Sequence, residues 1–74
     1  MDDVEISRIQ TYMRNLFRLD AIRVVKRPKK DDSAEVFIGD EFIGVMFRDD
    51  EDGEVSYAFS MAILDIDMPK LAGH

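Results

Sequence analysis

Between residues 3 and 18 the apolar positions Ile6, Ile9, Met13, Leu16 and Phe17 recur at helical spacing and fall on one stripe. That spacing predicts an amphipathic helix over 3–18. Asp2 followed by Glu5 has the form of a capping box, and Asp2, Asp3 and Glu5 suit the positive end of the helix dipole. Arg14 and Arg18 lie near the other end, where cations are favoured, and Leu19 extends the stripe as the helix closes.

The apolar period then shortens to two. Ile22-Arg23-Val24-Val25-Lys26 begins a first strand over about 22–27, stopped by Pro28, which cannot donate to a central ladder. A polar loop, Pro28 to Ser33, leads to a second strand over 34–38, and Gly39-Asp40 suits a two-residue hairpin turn. A third strand is expected over 42–48. The acidic run Asp49-Asp50-Glu51-Asp52-Gly53 forms the next loop, and a fourth strand is expected over 54–63. Residues 1–66 are read as a single α+β domain and 67–74 as a flexible tail.

The hydrophobic pattern also suggests a register. With Gly39-Asp40 at the turn, Val36 would face Ile43 and Ala34 would face Val45. With the acidic loop over 49–53, Arg48 would pair with Glu54, Phe47 with Val55, Val45 with Tyr57 and Ile43 with Phe59. One face would then carry Val36, Ile38, Ile43, Val45, Phe47, Val55, Tyr57, Phe59 and Met61, because side chains alternate along a strand. The expected fold is an N-terminal amphipathic helix packed on that face of a four-stranded antiparallel β-meander.

The other face would present Glu35, Phe37, Phe42, Gly44, Met46, Arg48, Ser56, Ala58 and Ser60. Phe37 and Phe42 would be direct cross-strand neighbours. Two adjacent aromatics and a methionine on a solvent-side face point to a contact surface, unless the tail or a loop covers them. Phe37, Phe42, Met46, Ser56 and Ser60 are therefore the candidate protein interface. No charge interrupts Val55 to Leu64, whereas edge strands are usually guarded by charge or proline. Such a strand can pair with a copy of itself or with another protein, unless Leu64 to Met68 folds over it.

Composition narrows the class. The 74 residues make one small domain whose core contributes about 3–5 kcal/mol of net stability. No cysteine is present to supply a disulfide or a thiolate zinc site. Hydrophobic residues at 46% suit a globular chain, and no apolar run approaches the ~18 residues of a membrane span. The start, Met1-Asp2-Asp3, is acidic and no apolar signal region follows, so a cytoplasmic location is expected.

The net charge of −6 is unevenly spread. Residues 1–48 carry nine acidic and nine basic side chains, whereas 49–74 carry seven acidic groups and one lysine. Arg23, Lys26, Arg27, Lys29 and Lys30 form the candidate anion-binding segment, since clustered cations grip phosphates. Asp31 and Asp32 follow at once, and in a meander the acidic loop would lie about 10 Å away and offset part of the basic field.

Catalytic and metal chemistry finds little support. Setting Gly53 at the glycine of a calcium-binding loop places Arg48 at the first ligand position and Phe59 where the bidentate glutamate belongs. Asp65 and Asp67 are a carboxylate pair without further ligands in sequence. His74, the single histidine, ends the chain after Ala72-Gly73, where nothing would hold a general base rigidly. Ser7, Ser33, Ser56 and Ser60 lack a partner base. No enzyme activity, metal or cofactor is expected.

The run Pro28-Lys29-Lys30-Asp31-Asp32-Ser33-Ala34-Glu35-Val36, followed by Ile38-Gly39-Asp40-Glu41-Phe42-Ile43-Gly44-Val45, resembles the short alphaproteobacterial proteins of domain-of-unknown-function family 3126. The resemblance takes in Asp49 to Gly53 and Met61-Ala62-Ile63-Leu64, and stops short of the tail after Met68. It implies a bacterial cytoplasmic protein and carries over no activity, ligand or catalytic residue. Two expectations follow: an interaction module, homodimeric or bound to another protein through the outer face or last strand, and, as the alternative, a nucleic-acid or polyanion binder using Arg23 to Lys30.

Overall fold

In the computed structural model, which describes residues 1–72, the first apolar stripe forms helix α1, Asp3–Phe17. Asp2 caps it, its Oδ1 accepting the Glu5 amide at 2.7 Å. Only half of the expected capping box forms, because the Glu5 carboxylate turns to the sheet instead. Arg18 ends the helix in the left-handed region at φ 54°, and Leu19 N–H then bonds Arg14 O.

Four strands follow: β1 Ile22–Lys26, β2 Ser33–Ile38, β3 Glu41–Asp49 and β4 Ser56–Ser60, with a 3₁₀ turn at Asp65–Asp67. They form one antiparallel sheet in the order β1-β2-β3-β4. The α+β meander expected from the pattern is therefore present. Gly73 and His74 lie outside the described residues, so the reading of His74 and the end of the expected tail do too.

The register departs from expectation at one residue. Phe37 pairs with Phe42 as predicted, but Val36 pairs with Gly44 and Ala34 with Met46, leaving Ile43 as a bulge. One inserted residue inverts the faces of the rest of β3. Met46, expected on the outer face, is buried in the core at 6% exposure, and Val45 and Phe47 take the outer positions instead. The β3–β4 pairing shifts by an odd number as well: Arg48 pairs with Tyr57 rather than Glu54, Phe47 with Ala58, and Met46 with Phe59. The two changes together leave Tyr57 and Phe59 on the helix side, as predicted.

The strand β4 is half its expected length. It ends at Ser60 opposite Val45, just before the bulge twists β3 away from further pairing. Residues 61–72 are exposed and lie outside the strands of the sheet.

Ile9 and Met13 of α1 pack with Met1, Ile22, Val24, Ala34, Val36 and Met46, and Ile6 and Ile43 border this core. The Met1 amine donates to Asp31 O, and Lys26 Nζ reaches Asp3 Oδ1 at 3.3 Å. A helix about 10 Å across covers only two strands spaced about 4.8 Å. Here α1 lies over the β1 side of the sheet. It also seals that edge: Gln10 Oε1 accepts from Val24 N–H at 3.0 Å, and Arg14 Nε donates to Ile22 O at 2.7 Å.

Candidate interaction surfaces

Because α1 sits over β1 and β2, the helix side of β3 and β4 is left open. The result is a groove of about 470 Å³ between α1 and β4. Its helix wall includes Ile9, Tyr12, Met13, Leu16 and Phe17, and Met46, Tyr57 and Phe59 form its floor. The sequence stripe placed Leu16 and Phe17 in the core, yet they are 59% and 56% exposed. The excess of apolar residues on α1, with Val4 and Tyr12 beside the stripe, was the available signal that its apolar arc is wider than the covered face.

Gly44 lies beneath this floor. A Cβ there would stand 2.7 Å from the Phe59 ring and would collide with Ser60 O, so only glycine admits Phe59 in this position. The bulge at Ile43 is what turns Gly44 toward the helix side.

One end of the groove is closed by a polar cluster. Arg48 Nη1 donates to Glu5 Oε1 and Oε2 at 2.9 and 3.2 Å, and the Tyr57 hydroxyl donates to Glu5 Oε2 at 2.6 Å. The Tyr57 hydrogen bond is the largest influence holding the Glu5 carboxyl below its usual range; desolvation opposes it, and Arg48 adds to it. The same bond, with desolvation, raises Tyr57, while Glu5 raises Arg48. Each group is held in its ordinary charge state, which suits a clamp between helix and sheet. Sequence reasoning missed this cluster because Glu5 was assigned to the cap and Arg48 to Glu54.

Four of the five residues predicted for a protein interface lie on the outer face. Phe37 and Phe42 stack edge-on with centroids 5.7 Å apart, and Phe42 is 51% exposed. Ser56 and Ser60 belong to this face through their pairing with Asp49 and Val45. Met46 does not.

The five cations of the predicted anion site do not converge. Arg23 lies 5.0 Å over the Phe37 ring and donates Nε to Gly39 O at 2.8 Å. Lys26 pairs with Asp3, and Arg27 donates to Ser33 Oγ at 3.1 Å. Arg27, Lys29 and Lys30 share a shallow depression with Glu35. The acidic loop adjoins this end of the sheet as expected, with Arg48 N–H bonded to Asp32 O at 2.8 Å.

Among the described residues no group of three or more His, Cys, Asp or Glu side chains is placed to hold a metal ion. No helix among them is long and apolar enough to cross a membrane.

The model of a family described as "Protein of unknown function (DUF3126)" matches residues 5–67. No curated protein and no solved structure matches the chain.

Proposed function

Since the chain belongs to the DUF3126 family, which carries no assigned function, we propose from its surfaces that it is a small non-catalytic interaction module. It works by self-association through the α1–β4 groove and the β4 edge. The observation that carries this reading is the difference between the two sheet edges. At β1, Gln10 and Arg14 of the helix occupy the free backbone groups. The β4 edge has no such cover among the described residues, no charge from Val55 to Leu64, and an apolar groove beside it.

Surface area supports the same conclusion. The chain exposes 6145 Å², against about 4,650 Å² for a folded protein of 8.5 kDa. The excess of about 1,500 Å² exceeds the ~800 Å² that each partner gives to a standard interface. The bacterial cytoplasmic setting that the family resemblance implies is part of this reading.

Light scattering of the full chain at low and high salt tests it. Apolar association is expected to give twice the chain mass at both salts. The double variant Leu16→Glu/Phe17→Glu changes exposed groove residues and is expected to halve that mass with helical circular dichroism unchanged. A single-chain mass for the unsubstituted protein overturns the proposal. Polyanion binding, the alternative, has less support, because Arg23, Lys26 and Arg27 are each engaged within the fold.

A further inference from the structure

We propose that the α1–β4 groove is filled by the C-terminal arm, residues 61–71, of a second copy, so that two chains exchange arms. The inference rests on the self-association reading and names the segment responsible.

The arm has the composition of a buried segment and the exposure of an unpartnered one. Met61, Ile63, Leu64, Ile66, Met68 and Leu71 are all exposed, Ile66 at 86%. The backbone hydrogen bonds of the arm among the described residues are local, from Asp67 N–H to Leu64 O and from Met68 N–H to Asp65 O. The long axis of the molecule reaches 49 Å and the radius of gyration 14.6 Å, against about 11 Å for a compact chain of this length.

The arm points away from the groove of its own chain. Lys26 meets Asp3, so α1 runs antiparallel to β1, and the meander then makes β4 parallel to α1. The chain therefore leaves β4 at the Phe17 end of the groove, heading outward. Entry into its own groove needs an immediate reversal, yet residues 61–64, directly after β4, contain no glycine, proline, asparagine, aspartate or serine. The 3₁₀ turn at Asp65–Asp67 does not supply one, since Met68 and Leu71 beyond it remain exposed.

A second copy related by a two-fold axis meets the arm head-on. Its groove runs in the opposite sense, so the arm enters at the end marked by Phe17 and proceeds toward the end marked by Glu5. Eleven extended residues span up to ~36 Å, enough to follow a fifteen-residue helix of about 22 Å. Charge agrees with this direction. Arg48 neutralises Glu5, which leaves Arg8, a groove residue without an ion pair among the described residues, to face Asp65 and Asp67 of the arm.

The chain has no cysteine, so introduced thiols report without background. A tagged Tyr12→Cys chain is mixed with an untagged Ile66→Cys chain, oxidised and run on a non-reducing gel. Both positions are exposed, so neither substitution threatens the core. Arm exchange predicts a crosslinked species containing one chain of each kind. In the double variant Tyr12→Cys/Ile66→Cys, a disulfide closed within one chain overturns the proposal. In parallel, Ile63→Asp/Leu64→Asp/Ile66→Asp is expected to lower the mass two-fold, with the helical signal retained. If that variant keeps twice the chain mass, arm exchange is wrong and self-association stands. If the unsubstituted chain already has the single mass, both fail.

Discussion

The Phe59 ring occupies the space that a side chain at Gly44 would need, 2.7 Å from where the Cβ would stand. An aromatic laid over a strand glycine repairs the gap left by the missing side chain and gives the groove its floor. Gly44→Ala forces that ring and the Ser60 carbonyl to move, which costs about 1–3 kcal/mol by the usual scale of overpacking. Urea denaturation at fixed protein concentration measures it, and a variant as stable as the parent would contradict the register described here. Fixed concentration matters because a self-associating chain gains stability by mass action.

The end of α1 is strained where the chain needs a left-handed residue. Arg18 holds φ 54° without the freedom of glycine. Arg18→Gly removes that strain but adds entropy to the unfolded chain and removes a cation near the helix C-terminus. The expected net gain is about 0.5 kcal/mol, read as a higher urea midpoint.

The Glu5 cluster predicts the acid limb of stability. Glu5 is held below its ordinary value of 4.5, so folding binds fewer protons there than the unfolded chain does. The stability it contributes is present above 4.5 and lost as pH falls through the lower folded value. In Glu5→Gln the acid limb is expected to be flatter over that interval, while stability near neutrality is lower. Tyr57→Phe keeps the charge pair and removes one hydrogen bond, for an expected loss of about 0.5–1 kcal/mol.

The basic loop is expected to be silent in self-association. Lys29→Glu/Lys30→Glu reverses charge at residues that do not line the groove and should leave the mass unchanged at every salt concentration. A mass that tracks this charge reversal would shift the account toward the polyanion reading.

Much of the fold was legible because its signals are local. Asp2 at the cap, the 3.6-residue stripe of α1, Pro28, and the Gly39-Asp40 turn each act within a few residues. The bulge was hidden because Phe42, Ile43, Val45, Met46 and Phe47 are apolar in both phases of the strand. Either register buries a hydrophobic set, so the pattern could not choose. What chooses is a contact between strands, Phe59 over Gly44. The uncharged run to Leu64 read as strand for the same reason: composition records apolarity, not where the neighbouring strand stops. The groove was invisible because it depends on how far one helix reaches across four strands. The outer pair Phe37 and Phe42 was visible because it sits next to the turn, before the bulge.

Sedimentation equilibrium of the full chain over a wide concentration range tests the central claim of self-association most directly. The account predicts a reversible species at twice 8.5 kDa that persists in high salt. A single species at 8.5 kDa throughout would contradict it.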